Sequence, residues 1–137
     1  MKNLFPILLV MVLTSCVTAL EPPKSNTDYK NIIGKPIIIG NLEVAQYDFP
    51  EAMNWNDAKV ACAKLGKGWR LPTKNELNIL YINRDKIGRF ARGYYWSSST
   101  EDSNNKANIQ FFPAGLQAFY PDEDYDSYVR AIRGLSL

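Results

Sequence analysis

GWRLPTKNEL, residues 68–77, sets an extended segment, a sharp stop and a helix start within ten positions. Pro72 pushes Leu71 out of the α region, so Trp69 and Leu71 are expected to point to one side of an extended segment and Arg70 to the other. Thr73 then opens a helix. Its hydroxyl accepts from a first-turn backbone N–H while Glu76 reaches back to the Thr73 N–H, the reciprocal arrangement of a capping box. Arg70 and Glu76, spaced across a proline and a cap, read as a structural pair rather than a charged site.

Working outward, the helix begun at Thr73 is predicted to run from Lys74 to about Lys86, with Leu77, Leu80 and Tyr81 on one stripe and a stop near Gly88. Upstream, Asn54 caps a second helix with Asp57 at its third position. Trp55, Ala58, Cys62 and Leu65 recur at spacings of three and four before Gly66 ends it. Ile37 to Ala45 is rich in β-branched residues and reads as strand, with Gly40-Asn41 as a turn or bulge inside it. Past Gly93 the texture changes to short strands: Tyr94 to Ser98, Ala107 to Phe112, Leu116 to Tyr120 and Tyr128 to Arg133. Two short helices packed on a mostly antiparallel, meander-rich sheet make an α+β domain. Arg130 and Arg133, within the last strand, are assigned structural roles like that of Arg70.

The beginning of the chain has another texture. Lys2 followed by the apolar run Leu4 to Leu13 has the form of an export signal, and ten residues fall well short of the roughly 20 that span a hydrocarbon core. Directly after it, Leu13-Thr14-Ser15-Cys16 resembles the lipobox of bacterial lipoproteins, in which the cysteine is diacylated and becomes the new N-terminus. Cleavage after Ala19, with Val17 and Ala19 as the small residues, is the rival. Residues 1–15 are therefore read as signal, 16–35 as a flexible tether interrupted by Pro22, Pro23, Ser25, Asn26, Thr27 and Asp28, and 36–137 as the domain. A tether of that length holds the domain roughly 25 Å from its anchor.

Composition narrows the chemistry. The formal charge of +2 is too small for a general polyanion binder, and no nucleic-acid partner is expected. The charge is uneven, with nine Lys or Arg against two acids from Lys59 to Arg92, and Lys106 against six acids from Gly93 to Asp126. No histidine is present, which removes the commonest general base and metal ligand, so a Ser-His or Cys-His nucleophile is excluded. Ser97, Ser98 and Ser99 then read as strand and turn residues, and Cys62, on an apolar helical stripe, as an inert core thiol. Asp122, Asp124 and Asp126 alternate as early calcium-loop ligands do, but Ser127 stands where an EF-hand loop needs Gly and Arg133 where it needs Glu. A solvated acidic turn is the simpler reading, and no cofactor is expected; calcium on these aspartates is the alternative.

Trp55, Ala58, Cys62, GWRLPTKNEL at 68–77, YYWSSS at 94–99 with Trp96 at its centre, Gly115, and YVRAIR at 128–133 together resemble the Lcl C-terminal domain family of bacterial exported proteins. They are also similar to a paralogous domain of fibre-digesting bacteria. The likeness runs from about Gly34 to Leu137 and rests on the order and spacing of the motifs. It implies a C-type-lectin-like fold, an exported location, and adhesion or glycosaminoglycan binding. Some of these relatives carry a Cys where this chain has Ala131, so the bridge they form is not expected.

The expectation is a lipid-anchored, surface-displayed, non-catalytic module in the cell envelope, at the outer membrane or cell surface, that binds a glycan or an extracellular or envelope protein. The C-terminal β-rich half supplies aromatics and hydrogen-bonding groups. Because alternation cannot bury both Phe111 and Phe112, nor both Phe119 and Tyr120, on one strand face, one of each pair is expected outside the core. Phe112, Gln117, Phe119, Tyr120, Asp122 and Tyr125 are the candidate ligand contacts, with Asn104 and Asn105 beside them. A structural or assembly lipoprotein is the competing class, and a glycosaminoglycan adhesin using the basic Lys59 to Arg92 surface is another. The anchor is testable by itself: Cys16→Ala should move the protein from the membrane to the soluble fraction, because two acyl chains are what makes anchoring stable. An unchanged membrane fraction would show that Cys16 carries no lipid.

Overall fold

A computed structural model describes residues 29–101, 105–121 and 125–136. They form an α+β domain of four short helices and two antiparallel three-stranded sheets. The elements are α1 (Lys30–Ile33), β1 (Ile37–Ile39), β2 (Leu42–Val44), α2 (Trp55–Lys64), α3 (Lys74–Ile82), α4 (Arg84–Ile87), β3 (Tyr94–Thr100), β4 (Lys106–Phe111), β5 (Leu116–Pro121) and β6 (Ile132–Gly134). The first sheet has the order β1-β2-β6 and the second is the meander β3-β4-β5. Among the described residues, no helix is long and apolar enough to cross a membrane.

The 68–77 stretch behaves as its sequence requires. Trp69 and Leu71 are buried, at 4% and 2% exposure, while Arg70 points outward. The Thr73 hydroxyl accepts from the Glu76 N–H at 3.2 Å, and the Thr73 N–H donates to Glu76 Oε1 at 2.9 Å, which completes the capping box. The same carboxylate takes both arms of the Arg70 guanidinium, at 2.7 and 2.9 Å. Glu76 thus fastens the extended segment to the first turn of α3. The Pro72 carbonyl accepts from the Ser98 N–H at 2.7 Å, and the Lys74 N–H donates to the Ser99 hydroxyl at 2.9 Å, so the helix start is stitched to β3.

Around this junction lie two apolar clusters. One gathers Phe49, Ala58, Cys62, Trp69, Leu71, Trp96, Ile109 and Val129; the other gathers Val44, Leu77, Leu80, Tyr95, Phe112 and Ile132. Two tryptophan ring nitrogens find partners, Trp55 Nε1 at the Ser97 carbonyl and Trp96 Nε1 at the Met53 carbonyl, each at 2.8 Å. Cys62 is fully buried, and burial pushes its thiol up to about 12. The segment 127–134 runs between the sheets. Ser127 bridges Met53, Tyr128 lies parallel to Tyr95, Ile132 bridges Arg70, and β6 pairs with β2, where Arg133 bonds Glu43 at 2.6 Å.

Three expectations are corrected. The helix begun at Lys74 does not run on to Lys86. It breaks at Asn83, which leaves helical dihedrals at φ −98° and ψ 14° and gives the Ile79 carbonyl both its backbone N–H, at 3.1 Å, and its side-chain amide, at 2.8 Å. The strand over Tyr128 to Arg133 is reduced to Ile132–Gly134, because the residues before it pair with different partners on each side and form no continuous ladder. The interruption expected at Gly40-Asn41 is there, as the turn of a hairpin over Ile37 to Val44 with Gly40 at φ 59°. Folded structure also begins before residue 36. Ile32 is buried, Tyr29 meets Phe49 edge-on at 5.0 Å, and the Ile32 and Ile33 carbonyls accept from Tyr47 and Gln46. These apolar side chains have a core to join, so the folded domain includes Tyr29 to Lys35.

The Arg70 fork, ahead of the Thr73 hydrogen bonds and against the effect of burial, lowers the Glu76 carboxyl from 4.5 to about 2. Since the folded value lies below the unfolded one, this stabilisation is complete above about pH 4.5 and is lost as the pH falls toward 2. With Arg70 at 46% side-chain exposure, solvent screening limits the ion pair and cap together to about 1 kcal/mol at neutral pH. Glu76→Gln should lower stability by that amount at pH 7 and by much less at pH 2.5, read from urea midpoints at the two pH values. An equal loss at both would refute the charge assignment.

Candidate binding surface

The meander has two faces, and register decides what each carries. Tyr94 lies opposite Phe111, and Phe111 opposite Leu116; Trp96 lies opposite Ile109, and Ile109 opposite Ala118. Side chains two residues apart share a face, so Tyr94, Phe111, Leu116, Ala118 and Tyr120 stand on the same side of the sheet as Trp96 and Ile109. The first apolar cluster covers that side where Trp96, Ala107 and Ile109 lie, with Tyr120 packed against its border. Beyond it Tyr94 is 44% exposed, Leu116 70% and Tyr125 49%, with Phe111 and Tyr120 half-buried. The rings touch in series. Tyr94 and Phe111 have centroids 4.8 Å apart, Tyr94 and Tyr120 6.4 Å, and Tyr120 meets Tyr125 edge-on at 5.0 Å. β5 borders this face as an edge strand.

The opposite face lies against α3 and is unusually polar. Ser97, Asn108 and Gln110 are fully buried there. The Gln110 amide donates to Asn78 Oδ1 at 2.9 Å and to the Gly115 carbonyl at 3.0 Å, and Gln117 donates to the Lys74 carbonyl at 3.1 Å. These amides tie β4 and β5 to the helix. Gly115, at φ 76°, turns the β4–β5 hairpin where an added Cβ would strike the Tyr81 ring.

This arrangement redistributes the expected contacts. Tyr120 and Tyr125 do belong to the exposed aromatic face. Phe112 does not: at 3% exposure it packs on Tyr95 at 4.4 Å and Phe90 at 4.5 Å, and its neighbour Phe111 is the outer member of that pair. Gln117 and Phe119 point toward α3. Gln117 spends its amide on the Lys74 and Gln110 acceptors, and Phe119 lies with its centroid 5.3 Å from the Lys74 ammonium. Asn104, Asp122 and Asp124 lie outside the described residues, while Asn105 and Asp126 are exposed. Tyr94, Phe111 and Leu116 are members that sequence reasoning missed. Their signal was the i, i+2 relation of Tyr94 to Trp96 and of Phe111 to Ile109, once the hairpin register is known.

The basic stretch from Lys59 to Arg92 does not form one surface. Arg70 is held by Glu76, and Lys59 lies over the Trp55 ring at 3.5 Å. Arg84, Arg89 and Arg92 instead line a cleft of about 430 Å3 together with Asp85, Phe90, Phe112 and Pro113. The loop behind that cleft is pinned by the buried Arg130. Its Nε donates to Asp48 at 2.7 Å, its Nη1 to the Ala45 and Gly88 carbonyls, and its Nη2 to the Gly88 and Arg89 carbonyls, while the guanidinium stacks on Phe90 at 4.2 Å. Tyr95 donates to the other Asp48 oxygen at 2.5 Å and accepts from the Ala91 N–H at 2.6 Å. Burial raises the Asp48 carboxyl above its ordinary value, with the Arg130 charge pulling it back down. Burial and then the Asp48 charge raise the Tyr95 hydroxyl, which stays protonated as the donor.

With its side chain fully enclosed, Arg130 cannot be removed without stranding Asp48 and the Ala45, Gly88 and Arg89 carbonyls. Arg130→Met should cost about 3–5 kcal/mol in denaturant melts. Adding Asp48→Asn to it should cost far less than the sum of the two single changes. Additive losses would show that the two residues do not act as a unit. Comparison of the chain with protein-family models gives no match, and comparison with curated proteins gives none.

Proposed function

We propose that the chain is a lipid-anchored, surface-displayed, non-catalytic binding module that engages a glycan or an envelope protein through the outer face of β3-β4-β5. The observation that carries this reading is the series of touching rings Tyr94, Phe111, Tyr120 and Tyr125, in which the half-buried Phe111 and Tyr120 support Tyr94 and Tyr125, each exposed over nearly half of its surface. A tyrosine-rich strip offers flat apolar area with hydroxyls at its edges, the combination that stacks on a sugar ring or anchors a protein interface. The likeness of Trp55, the 68–77 stretch, Trp96 and YVRAIR to the Lcl C-terminal domain family supports membership of that family and a C-type-lectin-like fold. The location proposed, on the bacterial outer membrane or cell surface, follows from the lipobox-like LTSC at 13–16.

A non-catalytic role is supported by how the reactive groups are used. The chain has no histidine, its Cys62 thiol is buried and raised to about 12, and Glu43, Asp48 and Glu76 are each held by an arginine. An assembly role in the envelope would use the same face, with the β5 edge available for strand addition. A glycan and polyanion array, run with and without chelator, separates the two. Tyr94→Ala and Tyr125→Ala should each weaken binding to any glycan found by about tenfold or more while leaving the melting temperature nearly unchanged. A blank array would move the reading to a protein partner. Loss of binding on charge reversal at Lys86, Arg89 and Arg92, with the tyrosine variants unaffected, would overturn the aromatic face altogether.

A further inference from the structure

The cleft formed by Arg84–Arg92 and the turn after β4 lies apart from the aromatic face. Phe112 lines it, whereas Phe111, the next residue, belongs to the other side of the sheet. Three arginines and one aspartate line it, a formal balance of +2 beside the apolar wall of Phe90, Phe112 and Pro113. Among the described residues, Arg70, Arg130 and Arg133 all have carboxylate partners within 4 Å, and Arg84, Arg89 and Arg92 have none. Two of these three are nevertheless held in place. Arg84 donates to the Tyr81 carbonyl at 2.9 Å and stacks on its ring at 4.3 Å, and Arg89 lies 5.1 Å from the Tyr47 ring centroid.

The backbone beneath is constrained too. Arg89 adopts φ 63°, a left-handed conformation that costs a non-glycine residue free energy. The buried Arg130 guanidinium offsets that cost by taking the Gly88 and Arg89 carbonyls on its inner side. A solvated loop needs no such support, and here the excess of positive charge lines the same cleft as the apolar wall. A site made in advance, with unneutralised guanidiniums on one side and ring surface on the other, suits a ligand divided in the same way.

We infer that this cleft binds a small dianion carrying a flat apolar group, of the aryl phosphate kind, with Arg84, Arg89 and Arg92 taking the phosphate oxygens and the Phe90–Phe112 wall taking the ring. Guanidiniums match phosphate oxygens in forked hydrogen bonds, and the ring adds area that inorganic phosphate lacks. The site is independent of the aromatic-face reading, so either stands if the other fails.

The test titrates the full chain, in non-ionic detergent, with phenyl phosphate, benzoate and inorganic phosphate by calorimetry and by amide chemical shifts. Phenyl phosphate should bind one to one with Kd of about 1 mM or below, and the other two at least about tenfold more weakly. The largest shifts should fall on the amides of Phe90, Ala91 and Phe112. Arg89→Gln and Arg92→Gln, both at exposed positions, should each weaken phenyl phosphate by about tenfold, whereas Lys64→Gln, which removes the same charge elsewhere, should not. Binding of inorganic phosphate or benzoate as tight as that of phenyl phosphate would overturn the proposal. So would shifts centred elsewhere, no binding at about 10 mM, or equal losses in all three variants.

Discussion

Burying a guanidinium is costly unless each of its donors is met, and the environment of Arg130 is organised around that requirement. Its partners come from two separate places: Asp48 and Ala45 after the β1–β2 hairpin, and the Gly88–Arg89–Phe90 loop after α4, which gives two carbonyls and a ring. Arg130 itself lies on the segment that pairs with both sheets. One side chain therefore fixes where the hairpin, the loop and the segment meet, and an apolar residue of similar volume would fill the space without fixing the orientation. Tyr95 completes the arrangement by joining Asp48 to the Ala91 amide.

Much of the local structure was legible in the sequence because its causes are local. The capping box at Thr73, the cap at Asn54, the outward Arg70 between inward Trp69 and Leu71, and the α+β class all follow from spacings of four residues or fewer. The break at Asn83 was missed because an asparagine within an apolar stripe looks tolerable until its side chain is seen to take a helix carbonyl. The aromatic pairs mark the limit most clearly. Alternation dictates that Phe111 and Phe112 part, but only the pairing of β4 with β3 decides which goes inward, and the connection at 101–105 does not reveal that register. Nor does anything near Arg130 point to Asp48, 82 residues away.

The two uncovered surfaces differ in how they are supported. The aromatic face stands on a sheet whose other side is tied to α3 by amides, so its rings occupy positions set by strand spacing. The arginine-lined cleft is built on irregular backbone and owes its form to hydrogen bonds from beneath. A sheet face of this kind accommodates ligands of varied length, whereas a cleft of fixed outline discriminates by size.

The placement of segment 127–134 also governs how the domain can assemble. Glu43 and Arg133 are 90 residues apart, and β2 has its second neighbour only in β6. A nascent chain that ends before Ser127 can form the meander and the helices, but it has nothing to place between the sheets. Contacts of such sequence separation pay their loop-closure entropy before they return any stabilisation, so closure is a late and cooperative event. Until then Trp96, Val44 and Leu71 lack a wall of their core. The interval between synthesis of β5 and arrival of this segment is the period in which apolar surface is left without its cover.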